Sequence, residues 1–325
     1  MTKTQTKSVK NSDDNQNGNS QVFKTKMKNF LGVRTIGSDL KSLPKGFKYF
    51  IAIAIVVIIV FNFVSVTNNE GTVFLPLQKY RGVLDGNTPS LFGDSKSAAT
   101  AVAILYSFNG VAAFSGVLMV ALINFNKASQ YFWQMVNALF FGMFALSVGF
   151  VGDLLMNAIL LLFAPVGWYL FEVAGFGNRK QDAKGWKFNL AFYSILILLA
   201  FIVIMFWYWA LPGATKDLFP KGEGWYTNWP DGNHKGKTIQ ILDGMTNGLN
   251  TVGFGMQMAN LNQQFYVWFC VNILKILQFS GLAGKSTLNV NMLIEFGVWF
   301  ALSLTGLWNR NLKKVIMPLF DKKTK

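Results

Sequence analysis

The chain is poor in the residues on which catalysis and metal binding usually draw. Its 325 residues include one cysteine, Cys270, and one histidine, His234. A lone cysteine leaves no disulfide framework and no thiolate cluster for a metal. A lone histidine in a polar loop leaves no pair for acid–base or metal chemistry. There is no HExxH, no nucleophile elbow and no paired carboxylate arrangement, so no enzymatic activity, cofactor or metal is expected. The stretch "SGLAGKST" (280–287) resembles a phosphate loop, but the motif requires glycine at the position held by Phe279, and no strand precedes it. Charge is scarce too. Only 14% of residues are charged, against about 25% in soluble domains.

Apolar residues fill that space: 52% of the chain is hydrophobic and the mean hydropathy is +0.33. They fall in long runs without the alternation of a β-barrel, which leaves helices as the element that can satisfy its own backbone in lipid. The expected fold is an all-α polytopic membrane protein of eight spans: 47–66, 98–122, 130–150, 153–174, 189–211, 240–260, 264–281 and 288–308. A basic tail, 1–46, should be disordered apart from an amphipathic element around "KMKNFLGV" at the membrane surface. A second basic tail follows at 309–325. The first apolar run lacks a small-residue cleavage site, so it reads as a span rather than a signal peptide. Two loops, 67–97 and 212–238, are polar.

The net charge of +15 sits around the spans rather than in a nucleic-acid-binding module. Twenty-one Lys and Arg fall on one side (ten up to Lys48, Lys127, four in 175–188 and six after Asn309), and eight on the other. This bias puts both termini in the cytoplasm and the chain in the cytoplasmic membrane.

An internal repeat is visible. "QYFWQMVN" (130–137) aligns with "FYVWFCVN" (265–272), placing Trp133 on Trp268 and Asn137 on Asn272. Upstream, "FNGVAAFSGVLMVALINFN" (108–126) matches "TNGLNTVGFGMQMANLN" (246–262). Two parallel three-helix repeats, 98–174 and 240–308, would then be joined by a linker helix, 189–211, with an extra helix at 47–66. In each copy a stripe at helical spacing combines ring and amide: Phe265, Trp268 and Asn272 in one, Gln130, Trp133 and Asn137 in the other. An indole face stacks on a flat heterocycle, and an amide both donates and accepts to a ribose or carboxamide. The structural alternative is interfacial tryptophan with asparagine as interhelical glue. Asn109, Asn247, Asn250, Gln257 and Gln264 are further polar positions within spans. Asp153 and Asp243 should lie near solvated span ends, and Lys275 and Glu295 should form a structural ion pair rather than a proton relay.

The stretch 137–171, with Asp153, Asn157, Pro165, Gly167 and Trp168, resembles the PnuC family of vitamin and nucleoside transporters, as does the element at Phe265, Trp268 and Asn272. The resemblance covers roughly 98–310. It implies a SWEET-like 3+1+3 bundle and facilitated diffusion by alternating access. Nicotinamide riboside is the solute most members carry, with thiamine, riboflavin or deoxynucleosides carried by relatives. Implied partners are the small-molecule substrate, the lipid bilayer, further copies of the chain in a homo-oligomer, and a cytoplasmic kinase that traps the imported product. A receptor that binds such a solute without moving it is the rival class. Where the family has a tryptophan this chain has Phe265, which keeps a stacking ring, loses the indole N–H, and makes that position the expected determinant of substrate choice.

Overall fold

The computed structural model describes residues 23–67, 71–86, 90–178, 186–218, 235–280, 282 and 290–313. The tail before 23, most of the loop 212–238 with His234, and the chain after 313 lie outside these. The helices are α1 (Ile36–Lys41), α2 (Lys45–Phe63), α3 (Leu75–Leu84), α4 (Lys96–Ser107), α5 (Asn109–Asn124), α6 (Gln130–Val148), α7 (Val151–Trp168), α8 (Trp186–Leu218), α9 (Lys235–Met258), α10 (Gln264–Phe279) and α11 (Val290–Leu307). Among the described residues, six segments are long and apolar enough to cross a membrane: α2, α4 with α5, α6, α7 with its extension to Val173, Leu190–Leu218 of α8, and Met292–Leu312. The apolar α10 has only 16 residues.

Helix α2 shows how the packing follows from sequence. Ile51, Ala54, Ile58 and Asn62 are buried at three- and four-residue steps, while Tyr49, Ile53, Val56 and Val60 are exposed on the rest of the surface. This is one apolar stripe against protein and the remainder against lipid. Asn62 would be costly there without a partner, and it accepts a hydrogen bond from Asn109 Nδ2. After α2, the expected polar loop instead forms an antiparallel ribbon, Val64–Thr67 (β1) with Gly71–Phe74 (β2), followed by α3. Phe63 stacks on Phe74 across it, with ring centroids 6.2 Å apart.

The N-terminal stretch 23–43 also departs from expectation. It is helical in part and docked rather than disordered. Leu31 is buried with Tyr131, Trp168 and Phe171, and Asp39 accepts hydrogen bonds from the Ser129 hydroxyl (2.6 Å) and amide (3.2 Å). Two apolar anchors, Leu31 and Leu43, and a capped turn offset the polarity of the surrounding sequence.

Helices α5–α7 pack in sequence order, as do α9–α11. The third helix of each set contacts the first helix of the other: α7 lies on α9, and α11 lies on α5. Helix α8 packs mainly on α9, and α2 lies against α5 and α11. The two sets share further details. Asn126 and Asn260 both adopt left-handed φ values (56° and 52°), Gln130 and Gln264 each open the next helix, and α7 and α11 both run into a π-turn, Tyr169–Val173 and Trp308–Leu312. In one set Gly167 lies under the ring of Tyr131, and in the other Gly306 lies under Phe265.

These landmarks correct the alignment of the copies by one residue. Gln130 is equivalent to Gln264, Tyr131 to Phe265 and Gln134 to Trp268; Trp133 therefore matches Val267. One residue is about 100° of helix rotation, enough to move a side chain to another face.

An added Cβ at Gly306 would overlap the Phe265 ring and the Asn124 side chain, whereas at Gly255 it would meet nothing within 4 Å. Gly306→Ala should destabilise the detergent-solubilised protein by ~1–3 kcal/mol through overpacking, read as a lowered Tm. Gly255→Ala should leave Tm unchanged or slightly raised.

Candidate functional site

The two sets enclose a central cavity whose open space, mouth included, is about 810 Å³. Helix α6 contributes Gln134, Asn137 and Phe141, and α7 contributes Asp153, Met156, Asn157 and Leu160. From the second set come Asn250, Phe254 and Gln257 on α9, Trp268, Val271, Asn272 and Lys275 on α10, and Phe296, Trp299 and Ser303 on α11. Met119 and Val120 of α5 complete the wall.

At the corrected register, equivalent positions meet across the cavity but carry different chemistry. Gln134 corresponds to Trp268, Asn137 to Val271, Asn157 to Phe296 and Leu160 to Trp299. The first set thus supplies three amides and one ring, Phe141, whereas the second supplies four rings together with three amides, Asn250, Gln257 and Asn272. Several of these groups are held in place. Asn137 Nδ2 donates to the Ala112 carbonyl (2.7 Å), Asn272 Nδ2 to Ser303 Oγ (2.8 Å), and Gln257 Nε2 to Gln134 Oε1 (3.1 Å). The Trp268 indole sits where a Cβ at Gly253 would lie and meets Phe265 edge-on, with ring centroids 5.9 Å apart. Trp299 packs over Gly116, and its Nε1 is buried with no acceptor among the described residues.

The ionic arrangement differs from expectation. Lys275 pairs with Asp153, not with Glu295: Nζ lies 2.8 Å from Oδ1 and 3.0 Å from Oδ2. The Asp153 side chain is only 13% exposed, so it is no solvated span end. The start of α7 faces α10 across the cavity, whereas Glu295 is carried to full burial on α11, where it makes no ion pair among the described residues. Asp243 is likewise buried. The Lys275 ammonium also lies 5.9 Å from the ring centroids of Phe279 and Phe296.

Of the ten expected contact residues, Trp268, Asn272, Asn137 and Asn250 line the cavity. The other six lie elsewhere. Phe265 is fully buried among Ile123 and Leu307 on Gly306. Trp133 points into an apolar cluster, edge-on to Phe114 at 5.4 Å. Asn109 is bonded to Asn62, and Asn247 donates to the Asp243 carbonyl (3.0 Å). Gln130 and Gln264 are buried where α6 and α10 begin. The one-residue error in register accounts for Trp133, and Phe265 belongs to the glycine wedge that Tyr131 makes in the other copy. Sequence reasoning missed Gln134, Phe296, Trp299 and Ser303. The last three follow helical three- and four-residue steps, the same signal that marked the stripe at Trp268.

A profile of the nicotinamide mononucleotide transporter family matches residues 106–311, well over half of the chain. The chain belongs to this family, whose PnuC members it resembled from sequence. The nicotinamide riboside transporter PnuC of Neisseria mucosa is 26% identical over 181 residues, 54% of this chain, and the chain spans 62% of that relative's length. The crystal structure of the vitamin B3 transporter PnuC superposes with a TM-score of 0.43 and 15% identity, covering 73% of this chain and 91% of that one. Among the described residues, several helices of this family member are long and apolar enough to cross a membrane.

The Asp153–Lys275 pair offers a direct energetic test. Removing one partner strands a buried charge, at a cost of about 3–5 kcal/mol. Asp153→Asn should therefore lower Tm sharply. The double substitution Asp153→Leu with Lys275→Met should recover most of the loss if the pair is structural.

Proposed function

We propose that the protein is a cytoplasmic-membrane facilitator for a nucleoside-like solute with a flat aromatic base, nicotinamide riboside foremost. It would have eight spans in a 3+1+3 arrangement with an additional N-terminal helix, and both termini would be cytoplasmic. The observation that carries this reading is the two-sided cavity. Rings from Trp268, Trp299 and Phe296 face a planar base, and amides from Gln134, Asn137 and Asn157 face its polar substituents and the sugar. A pyridinium cation gains further from aromatic faces.

The ion pair argues for the riboside over the mononucleotide. A phosphate group needs an available cation, and Lys275, the cation lining the cavity, is already neutralised by Asp153 at 2.8 Å. Transport runs by rocking of the two three-helix sets around the central site. Net accumulation then depends on a cytoplasmic kinase adding the phosphate that the cavity excludes on the way out.

Proteoliposome counterflow tests the reading. Labelled nicotinamide riboside should exchange saturably, with the mononucleotide competing at least about tenfold more weakly, the factor that ~1.4 kcal/mol of unpaired phosphate would produce. Saturable binding without exchange would identify a receptor instead. Equal competition by the mononucleotide would overturn the substrate assignment. Trp268→Ala should abolish saturable exchange, whereas Trp133→Ala should lower Tm yet leave KM within about threefold, because its ring contributes packing rather than contact.

A further inference from the structure

At one end of the bundle, side-chain hydrogen bonds join the two helix sets beside the apolar contact of Ile123 with Phe265 and Leu307. Two layers lie below the cavity. The first is the Gln134–Gln257 amide pair (3.1 Å), with Tyr131 Oη donating to the Gln257 carbonyl at 3.4 Å. The second gathers the turns of both sets around one guanidinium. Arg310 Nη2 donates to Asn126 Oδ1 (3.1 Å) and to Asn260 Oδ1 (3.3 Å). The amide nitrogens of the same two asparagines reach the short segment after α7: Asn126 Nδ2 donates to the Gly177 carbonyl (2.6 Å) and Asn260 Nδ2 to the Phe176 carbonyl (2.9 Å). Each asparagine thus bonds at both ends of its amide, and each set contributes one.

Two further observations concern the local geometry of this cluster. Asn126 and Asn260 both hold left-handed φ values, a turn conformation that asparagine adopts more readily than other non-glycine residues. The guanidinium arrives on the π-turn Trp308–Leu312, a wide turn of the kind that recurs at functional sites. We infer that Arg310, Asn126 and Asn260 form a latch that seals this mouth of the cavity and must open for solute to pass. Lys127 and the run of basic residues from Arg310 onward place the latch on the cytoplasmic side. Its bonds are few and polar, so water entering from that side can replace them one for one, which apolar packing would not allow.

The inference rests on the transport reading, and a reversible lock separates the two. In a Cys270→Ala background, Asn126→Cys and Asn260→Cys are joined by a short bis-methanethiosulfonate. Exchange of nicotinamide riboside should fall at least about tenfold, equilibrium binding should persist, and reductant should restore exchange. Undiminished exchange in the locked protein would overturn the latch. Absence of exchange in the unmodified wild-type protein would instead overturn the transport reading. Arg310→Met supplies a measurement that does not depend on the paired cysteines. With the latch weakened, Asn137→Cys in the Cys270→Ala background should react about tenfold faster with an impermeant thiol reagent applied from the cytoplasmic side. An unchanged rate would count equally against the latch.

Discussion

The contact of a ring against a glycine on the neighbouring helix, made twice, sets the geometry of this protein. Tyr131 on α6 lies on Gly167 of α7, and Phe265 on α10 lies on Gly306 of α11. Lipid provides no hydrophobic drive for helices to associate, so close van der Waals contact over small residues has to supply the attraction. Because both copies use the same wedge, each pair of helices is held at the same rotation. That rotation decides which side chains face the centre. It turns Gln134 and Trp268 inward and turns Trp133 into the apolar cluster with Phe114.

Equivalence of backbone positions does not impose equivalence of chemistry. The two copies share turns, glycine wedges and π-turns, yet the rings that line the cavity come mainly from the second set, while each set supplies three amides. The Asp153–Lys275 pair adds charge without adding net charge, so it fixes α7 against α10 while leaving little attraction for an anionic solute. Small residues serve the cavity as well: Gly116 and Gly253 leave room for the indoles of Trp299 and Trp268.

The family match begins at residue 106, so α2 and the docked stretch 23–43 lie N-terminal to the matched region. They attach at places where the core has polar groups to satisfy: Asn62 at Asn109, and Asp39 at the Ser129 turn. Gly110 makes room for Phe63. This N-terminal part therefore braces the first helix set, through α5 and the turn before α6, and reaches the second set through α11.

The helical, membrane-spanning character of the chain and the family likeness were legible in the sequence, because each depends on local composition or on spacing along one helix. Runs such as Ile51–Phe61 must be helical in lipid whatever surrounds them, and Trp268 and Asn272 share a face through helical period alone. Three matters were settled only by tertiary packing. One was the register between copies, where a single residue separates a contact side chain from a core side chain and repeated letters such as W-x-x-x-N can align at the wrong step. Another was ionic partnership: Lys275 meets Asp153 across the bundle, 122 residues away in the chain, while Glu295, the partner expected for it, is buried on α11 without an ion pair among the described residues. The last was the latch, whose members Asn126, Asn260 and Arg310 fall in unremarkable turns and gain meaning from meeting at one end. The physical reason is common to all three. Composition and period act along a segment, whereas pairing across helices depends on rotations that only the packed bundle determines.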